Sequence, residues 1–122
     1  MKLIKFRQYH NGKFYYWGLG IKGSTFTSPT HVDLMTIDNP HQQYTGLNDK
    51  NGKEIYEGDI FKTILGWVAV VEWDEINARF LGFTLERERK ILYVGREPAV
   101  EVIGNIYDNP ELLTKCHKVV IV

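Results

Sequence analysis

The chain has 122 residues, 43% hydrophobic and 25% charged, with 15 basic and 15 acidic side chains and no formal net charge. This balance excludes a disordered polyelectrolyte, and the length allows one ordinary domain with room for a small appended unit. Cys116 is the single cysteine, which excludes an internal disulfide, so packing alone must hold the fold.

The opening residues lack an apolar stretch of signal-peptide length. The longest clean apolar runs, 67–71 and 119–122, are far too short to cross a bilayer. The expectation is a cytoplasmic protein without a membrane partner. Charge is uneven along the chain: residues 1–32 carry Lys2, Lys5, Arg7, Lys13 and Lys22 and no acid, leaving the remainder at −5. Such asymmetry marks either an anionic partner or attraction between parts of one chain or of neighbouring subunits. Zero net charge weakens long-range pull on polyanions and favours the second reading.

In chain order, residues 2–9 alternate imperfectly between apolar and polar, and Asn11-Gly12 supplies the positive φ angles of a tight hairpin turn. Residues 13–21 return as a strand rich in Phe14, Tyr15, Tyr16 and Trp17, and Gly18, Gly20 and Gly23 punctuate its end. Turn-formers and breakers dominate 24–42, with a short strand expected at 31–37. Asp49-Lys50-Asn51-Gly52 is a turn, and Gly58-Asp59 announces a strand at 60–64. Further strands are predicted at 67–73, 79–85, 90–94 and 100–107. Asn109-Pro110-Glu111-Leu112 reads as an N-cap with proline at the first helical position, hence one helical turn. The closing residues 119–122 are predicted to add an edge strand. Short strands at close spacing favour a small barrel or sandwich over a layered α/β fold.

The stretch Gln43-Tyr44-Thr45-Gly46-Leu47-Asn48-Asp49-Lys50-Asn51-Gly52-Lys53-Glu54-Ile55-Tyr56-Glu57-Gly58-Asp59-Ile60 resembles the signature of the YopX family of phage and prophage proteins. Val102-Ile103-Gly104-Asn105-Ile106-Tyr107-Asp108-Asn109-Pro110-Glu111-Leu112-Leu113 is similar to that family's ending. Lys5-Phe6-Arg7 and Val70-Val71-Glu72-Trp73-Asp74 match as well, whereas 77–95 and 21–41 depart from the pattern. The resemblance implies a mainly β protein: an N-terminal hairpin region over 1–42, then an SH3-like β-barrel over 43–122. It also implies a gene of a temperate phage in a low-GC Gram-positive host, and no reaction. Tyr44, Gly46, Gly52, Tyr56, Gly58, Asp59, Gly104 and Asn105 read as a structural signature, because glycine turns with apolar anchors and locally bonding Asp and Asn suffice to build a scaffold.

Catalytic constellations are weak. Cys116 and His117 are sequence neighbours whose side chains point apart on a strand. His10, His31, His41 and His117 show no ligand spacing, and Asp49, Asn51 and Gly52 lack the remainder of a calcium loop. Glu72 and Asp74 could serve a metal-dependent hydrolase only if both line a concave pocket. The run 86–90 reads as a solvated edge. No catalytic residue, metal site or cofactor is expected. The partner surface is placed on the hairpin, at Lys5, Arg7, Tyr9, Lys13, Tyr15 and Trp17. There, aromatic side chains interleave with cations and could meet another protein, a second copy of the chain or, as the alternative, single-stranded nucleic acid. The function expected is therefore a non-enzymatic protein-binding or oligomerising module in phage–host interaction.

Overall fold

The computed structural model describes residues 4–19, 39–84, 91–92 and 99–114. The strands expected at 31–37 and 119–122, the run 86–90, and Cys116 and His117 lie outside these residues. The described elements are β1 (Ile4–His10), β2 (Lys13–Leu19), β3 (Gln42–Asn48), β4 (Glu54–Tyr56), β5 (Asp59–Lys62), β6 (Val68–Asp74), β7 (Arg79–Thr84), β8 (Ile91–Leu92), β9 (Glu101–Asn105) and one helical turn, α1 (Glu111–Thr114). They make two antiparallel sheets, ordered β2-β1-β3-β4 and β8-β7-β6-β5-β9. Both sheets are open: the described strands close no barrel. No described helix is long and apolar enough to cross a membrane.

The first sheet grows from the hairpin. Asn11 (φ 49°) and Gly12 (φ 81°) both adopt the left-handed region, so a two-residue turn sets β1 and β2 in register from Ile4↔Leu19 to His10↔Lys13. β3 then joins the other side of β1 through Phe6↔Gln43 and Arg7↔Gln42. The border expected between residues 42 and 43 thus falls inside a strand hydrogen-bonded to the hairpin. A bulge between Tyr44 and Asn48, with Gly46 at φ 88°, bends β3 before it pairs with β4.

Asp49 fastens the β3–β4 loop. Its Oδ1 accepts the backbone N–H groups of Asn51 (2.8 Å) and Lys53 (2.9 Å), and its Oδ2 accepts that of Val102 in β9 (3.0 Å). The turn at Glu57 and Gly58 then passes the chain from the first sheet into the second. There Gly58 N–H donates to the Val71 carbonyl, and the Gly58 carbonyl accepts from Ile106 N–H.

Period-two alternation sends the side chains of the second sheet to two faces. Phe61, Ala69 and Val71 pack with Val100 and with Ile55 of β4. Ile60, Val68 and Val70 meet Ile103, Ile106 and Leu112 on the other face. Cover on both faces explains the unbroken apolar run 68–71. Past β9, Asn105 Oδ1 accepts the N–H groups of Tyr107 (3.0 Å) and Asp108 (2.9 Å). Asn109 departs from the expected cap: its side-chain oxygen turns back to Asn105 N–H (3.2 Å), and its backbone carbonyl accepts Leu112 N–H.

Candidate functional site

The structure turns much of the expected hairpin surface inward. Arg7 is only 4% exposed. Its Nε donates to Gln42 Oε1 at 2.8 Å, and its Nη2 donates to Asp59 Oδ1 at 2.8 Å and to the Glu57 carbonyl at 3.3 Å. The guanidinium carbon lies 4.1 Å from the Phe14 ring centroid and 4.7 Å from that of Tyr56. Asp59 Oδ2 accepts Tyr56 N–H at 2.8 Å. Burial pushes the Asp59 carboxyl above its usual range, opposed by the Arg7 cation and the Tyr56 N–H bond. Burial likewise pushes the Tyr56 phenol up, with the Glu54 carboxylate adding to it.

Of the signature, the Tyr44 and Tyr56 rings lie 5.5 Å apart, and the place beside Asp59 is filled by the chain's own guanidinium. Gly58 belongs to the same node. It sits at φ 85°, and a Cβ there would come within 2.1 Å of the Gln42 carboxamide nitrogen. Gly104 similarly leaves room for the Asn109 side chain, whose oxygen would lie 2.4 Å from a Cβ.

Lys5 pairs with Glu54, and its ammonium stands 5.5 Å from the Tyr44 ring centroid. Two of the five basic residues of the opening thus neutralise acids from later in the chain, which accounts physically for part of the charge asymmetry. Trp17 is buried, stacked on Phe6 (5.9 Å) and edge-on to His41 (4.8 Å). Arg7 and Trp17 are accordingly withdrawn from the expected outer surface. Tyr9 donates to Asp108 Oδ1 at 2.7 Å and stacks on Tyr107 at 4.8 Å, fixing the hairpin to the turn after β9. That hydrogen bond is the main cause that raises the Tyr9 phenol. Lys13 is exposed, with its ammonium 4.9 Å from the Tyr15 ring centroid. Among the described hairpin residues, Lys13 and the 56% exposed Tyr16 stay on the outside.

The carboxylates of β6 divide. Asp74 Oδ1 accepts Ile76 N–H (3.1 Å), and its Oδ2 accepts Asn77 Nδ2 (3.0 Å) and Arg79 Nε (3.4 Å), which shapes the β6–β7 turn. The Asn77 bond in particular holds Asp74 below the usual carboxylate range. Glu72, by contrast, lines a cleft of about 450 Å³ whose lining does not include Asp74. The condition for a paired-carboxylate hydrolase is not met there. Among the described residues no three of His, Cys, Asp and Glu gather as metal ligands.

This cleft lies where the start of β3, the Glu57-Gly58 turn, β6 and the residues around α1 meet. Val70, Trp73, Ile106, Tyr107 and Leu113 give it apolar and aromatic walls, while His41, Gln42, Glu57 and Glu72 bring polar groups. Burial raises the Glu57 carboxyl, opposed by Gln43 N–H and by Arg7. Trp73 is 41% exposed, edge-on to Phe80 at 4.8 Å, and also borders a second concavity of about 310 Å³ with Tyr44, Leu47 and Phe80. Sequence reasoning missed this region because its parts are up to about 70 residues apart and meet only on folding. The exposed tryptophan within 70–74 was the one local hint.

These features define a mainly β protein of two antiparallel sheets with a surface cleft between their connecting segments. The model of the family described as YopX protein matches residues 5–114, and the chain belongs to the YopX family. The comparison with curated proteins finds no match.

Proposed function

We propose that this YopX family protein is a non-enzymatic binding module in phage–host interaction, acting through protein contacts in the bacterial cytoplasm, with a second copy of the chain among its partners. In this reading residues 43–122 form an SH3-like unit, with β3 and β4 laid against one face of the five-stranded sheet. The supporting observation is Trp73, a half-exposed tryptophan at the border of two concavities. Leu47 lines the second concavity with Trp73, and the almost fully exposed Ile76 (93%) lies in the turn that follows β6. Tryptophans beside pockets are the usual energetic anchors of protein interfaces, and clustered exposed apolar groups mark contact surfaces.

The polar side chains of the signature support the same reading, since Asp49, Asp59 and Asn105 spend hydrogen bonds on the backbone, on Arg7 and on Asp108. A photo-crosslinking amino acid at position 73, expressed in the host cell, tests the proposal against the same label at exposed Asn51. Protein adducts, including the chain with itself, are expected from position 73 alone. Equal yields from both positions would remove Trp73 as the contact surface.

A further inference from the structure

Resting on that reading, we infer that the cleft beside Trp73 receives the β5–β6 turn of a second copy of the chain, with Ile64 and Leu65 as the inserted side chains. The turn is built to present them. Thr63 N–H donates to the Trp67 carbonyl (2.8 Å), Gly66 N–H donates to the Thr63 carbonyl (2.9 Å), and the Thr63 hydroxyl oxygen accepts Trp67 N–H (3.1 Å). Gly66 turns the corner at φ 90°. On this fixed loop Ile64 is 66% exposed and Leu65 56%, two adjacent large aliphatic side chains that the fold leaves largely in water. A tip already held in shape gives up little conformational freedom on insertion.

The cleft offers the cover that such a tip lacks. Val70, Trp73, Ile106 and Leu113 furnish apolar wall, and a volume of about 450 Å³ accommodates two aliphatic side chains. Lys62, exposed beside the tip, and Glu57, in the lining of the cleft, bring opposite charges to the two surfaces. Tip and cleft belong to opposite ends of one strand pair. The turn closes β5 and β6 beyond Lys62↔Val68, whereas the cleft lies where Gly58 meets Val71. The strands between them keep a tip from its own cleft, so filling it takes another molecule. A tip-to-cleft contact either closes a reciprocal pair or repeats head to tail. Two inserted side chains cover far less than the roughly 1,200 Å² at which stable interfaces begin, so the association is weak.

Sedimentation of the purified full chain at rising concentration reads this association, with a dissociation constant expected between about 1 µM and 1 mM. Leu65→Asp spoils the tip and Leu113→Asp spoils the cleft, and each should weaken self-association at least about tenfold. Both side chains are exposed, so the urea midpoint of each variant should match that of the parent. If Leu113→Asp lowers it, Trp73→Ala takes its place. Mixed in equal amounts, the tip variant and the cleft variant should pair again, because one keeps an intact cleft and the other an intact tip. A chain that stays monomeric throughout, or association that Leu65→Asp leaves unchanged, would overturn the inference. So would a mixture that fails to pair, since tip would then meet tip rather than cleft. Crosslinks from position 73 to other proteins alone, together with a monomeric chain, would sink this inference and leave the binding-module reading standing.

Discussion

Replacing Arg7 by Met tests the buried node most directly. The substitution keeps an unbranched apolar stem beside Phe14 and Tyr56 but removes the cation from Asp59, whose side chain is 2% exposed. It also removes the donors to Gln42 Oε1 and to the Glu57 carbonyl. Breaking a buried pair by deleting one partner costs about 3–5 kcal/mol, because the remaining charge stays desolvated. A domain of this size has about 5–15 kcal/mol in total, so Arg7→Met should lose about a fifth or more of its stability.

The loss should depend on pH in a definite direction. Burial already lifts the Asp59 carboxyl above its usual range with Arg7 opposing, and removing Arg7 lifts it further. A carboxyl whose folded pKa exceeds its unfolded pKa contributes its stabilisation in full below the unfolded value and loses it as pH rises through the folded value. Arg7→Met should therefore approach the parent protein in acid and fall furthest behind near neutrality. Arg7→Met combined with Asp59→Asn should recover part of the neutral-pH loss. Urea unfolding followed by tryptophan fluorescence at several pH values measures all three proteins. A deficit below about 1 kcal/mol, or one that ignores pH, would refute the assignment of a buried ion pair.

Three further outcomes use the same unfolding assay. Gly52 and Gly58 share nearly the same φ, 82° and 85°, but only at Gly58 does a Cβ collide with Gln42, so Gly52→Ala should cost about 1 kcal/mol and Gly58→Ala clearly more. Gln42→Ala should shrink that difference between the two glycine variants. Asp49 experiences burial that raises its carboxyl, yet its bonds from Val102, Lys53 and Asn51 outweigh this and hold it below the usual range. Its contribution is present above the unfolded pKa and fades as pH falls through the folded one, so Asp49→Asn should lose about 1–3 kcal/mol at neutral pH and show a flatter acid limb. Lys5→Met breaks a pair whose side chains retain 17% and 33% exposure, and it should cost no more than about 1 kcal/mol, far less than Arg7→Met.

Local chemistry was readable where it acts locally. Asn11-Gly12 announced its hairpin, Pro110 its helical turn, and the strands read at 60–64 and 67–73 the centre of the second sheet. The signature glycines at 46, 52 and 58 all take positive φ, Gly52 and Gly58 in turns and Gly46 in the bulge of β3. The stretch 43–60, however, reads as glycine turns with apolar anchors, and the structure adds two strands there, one paired with the hairpin. Short-range propensity does not reveal that pairing, because β3 carries Gln, Thr and Asn, and its place is set by tertiary contact.

The hairpin cations show the same limit. Lys5, Arg7, Lys13 and their aromatic neighbours have one composition, but only burial decides which face solvent. Arg7 and Trp17 face inward, whereas Lys13 stays outside. The cleft was the least legible feature, since no window of sequence contains both Glu57 and Tyr107. Trp73 between acids could have raised the question, because a large aromatic side chain at a strand end is costly to leave exposed without purpose.

Arg7 and its carboxylate are 52 residues apart, and this spacing sets an order of events during synthesis. The guanidinium leaves the ribosome first and must remain hydrated until the Gly58-Asp59 corner emerges. An isolated two-stranded hairpin is at best marginal in water. The opening strands therefore become fixed only when the middle of the chain arrives to claim them, and a nascent fragment stopped short of Asp59 leaves the Arg7 guanidinium without its buried carboxylate.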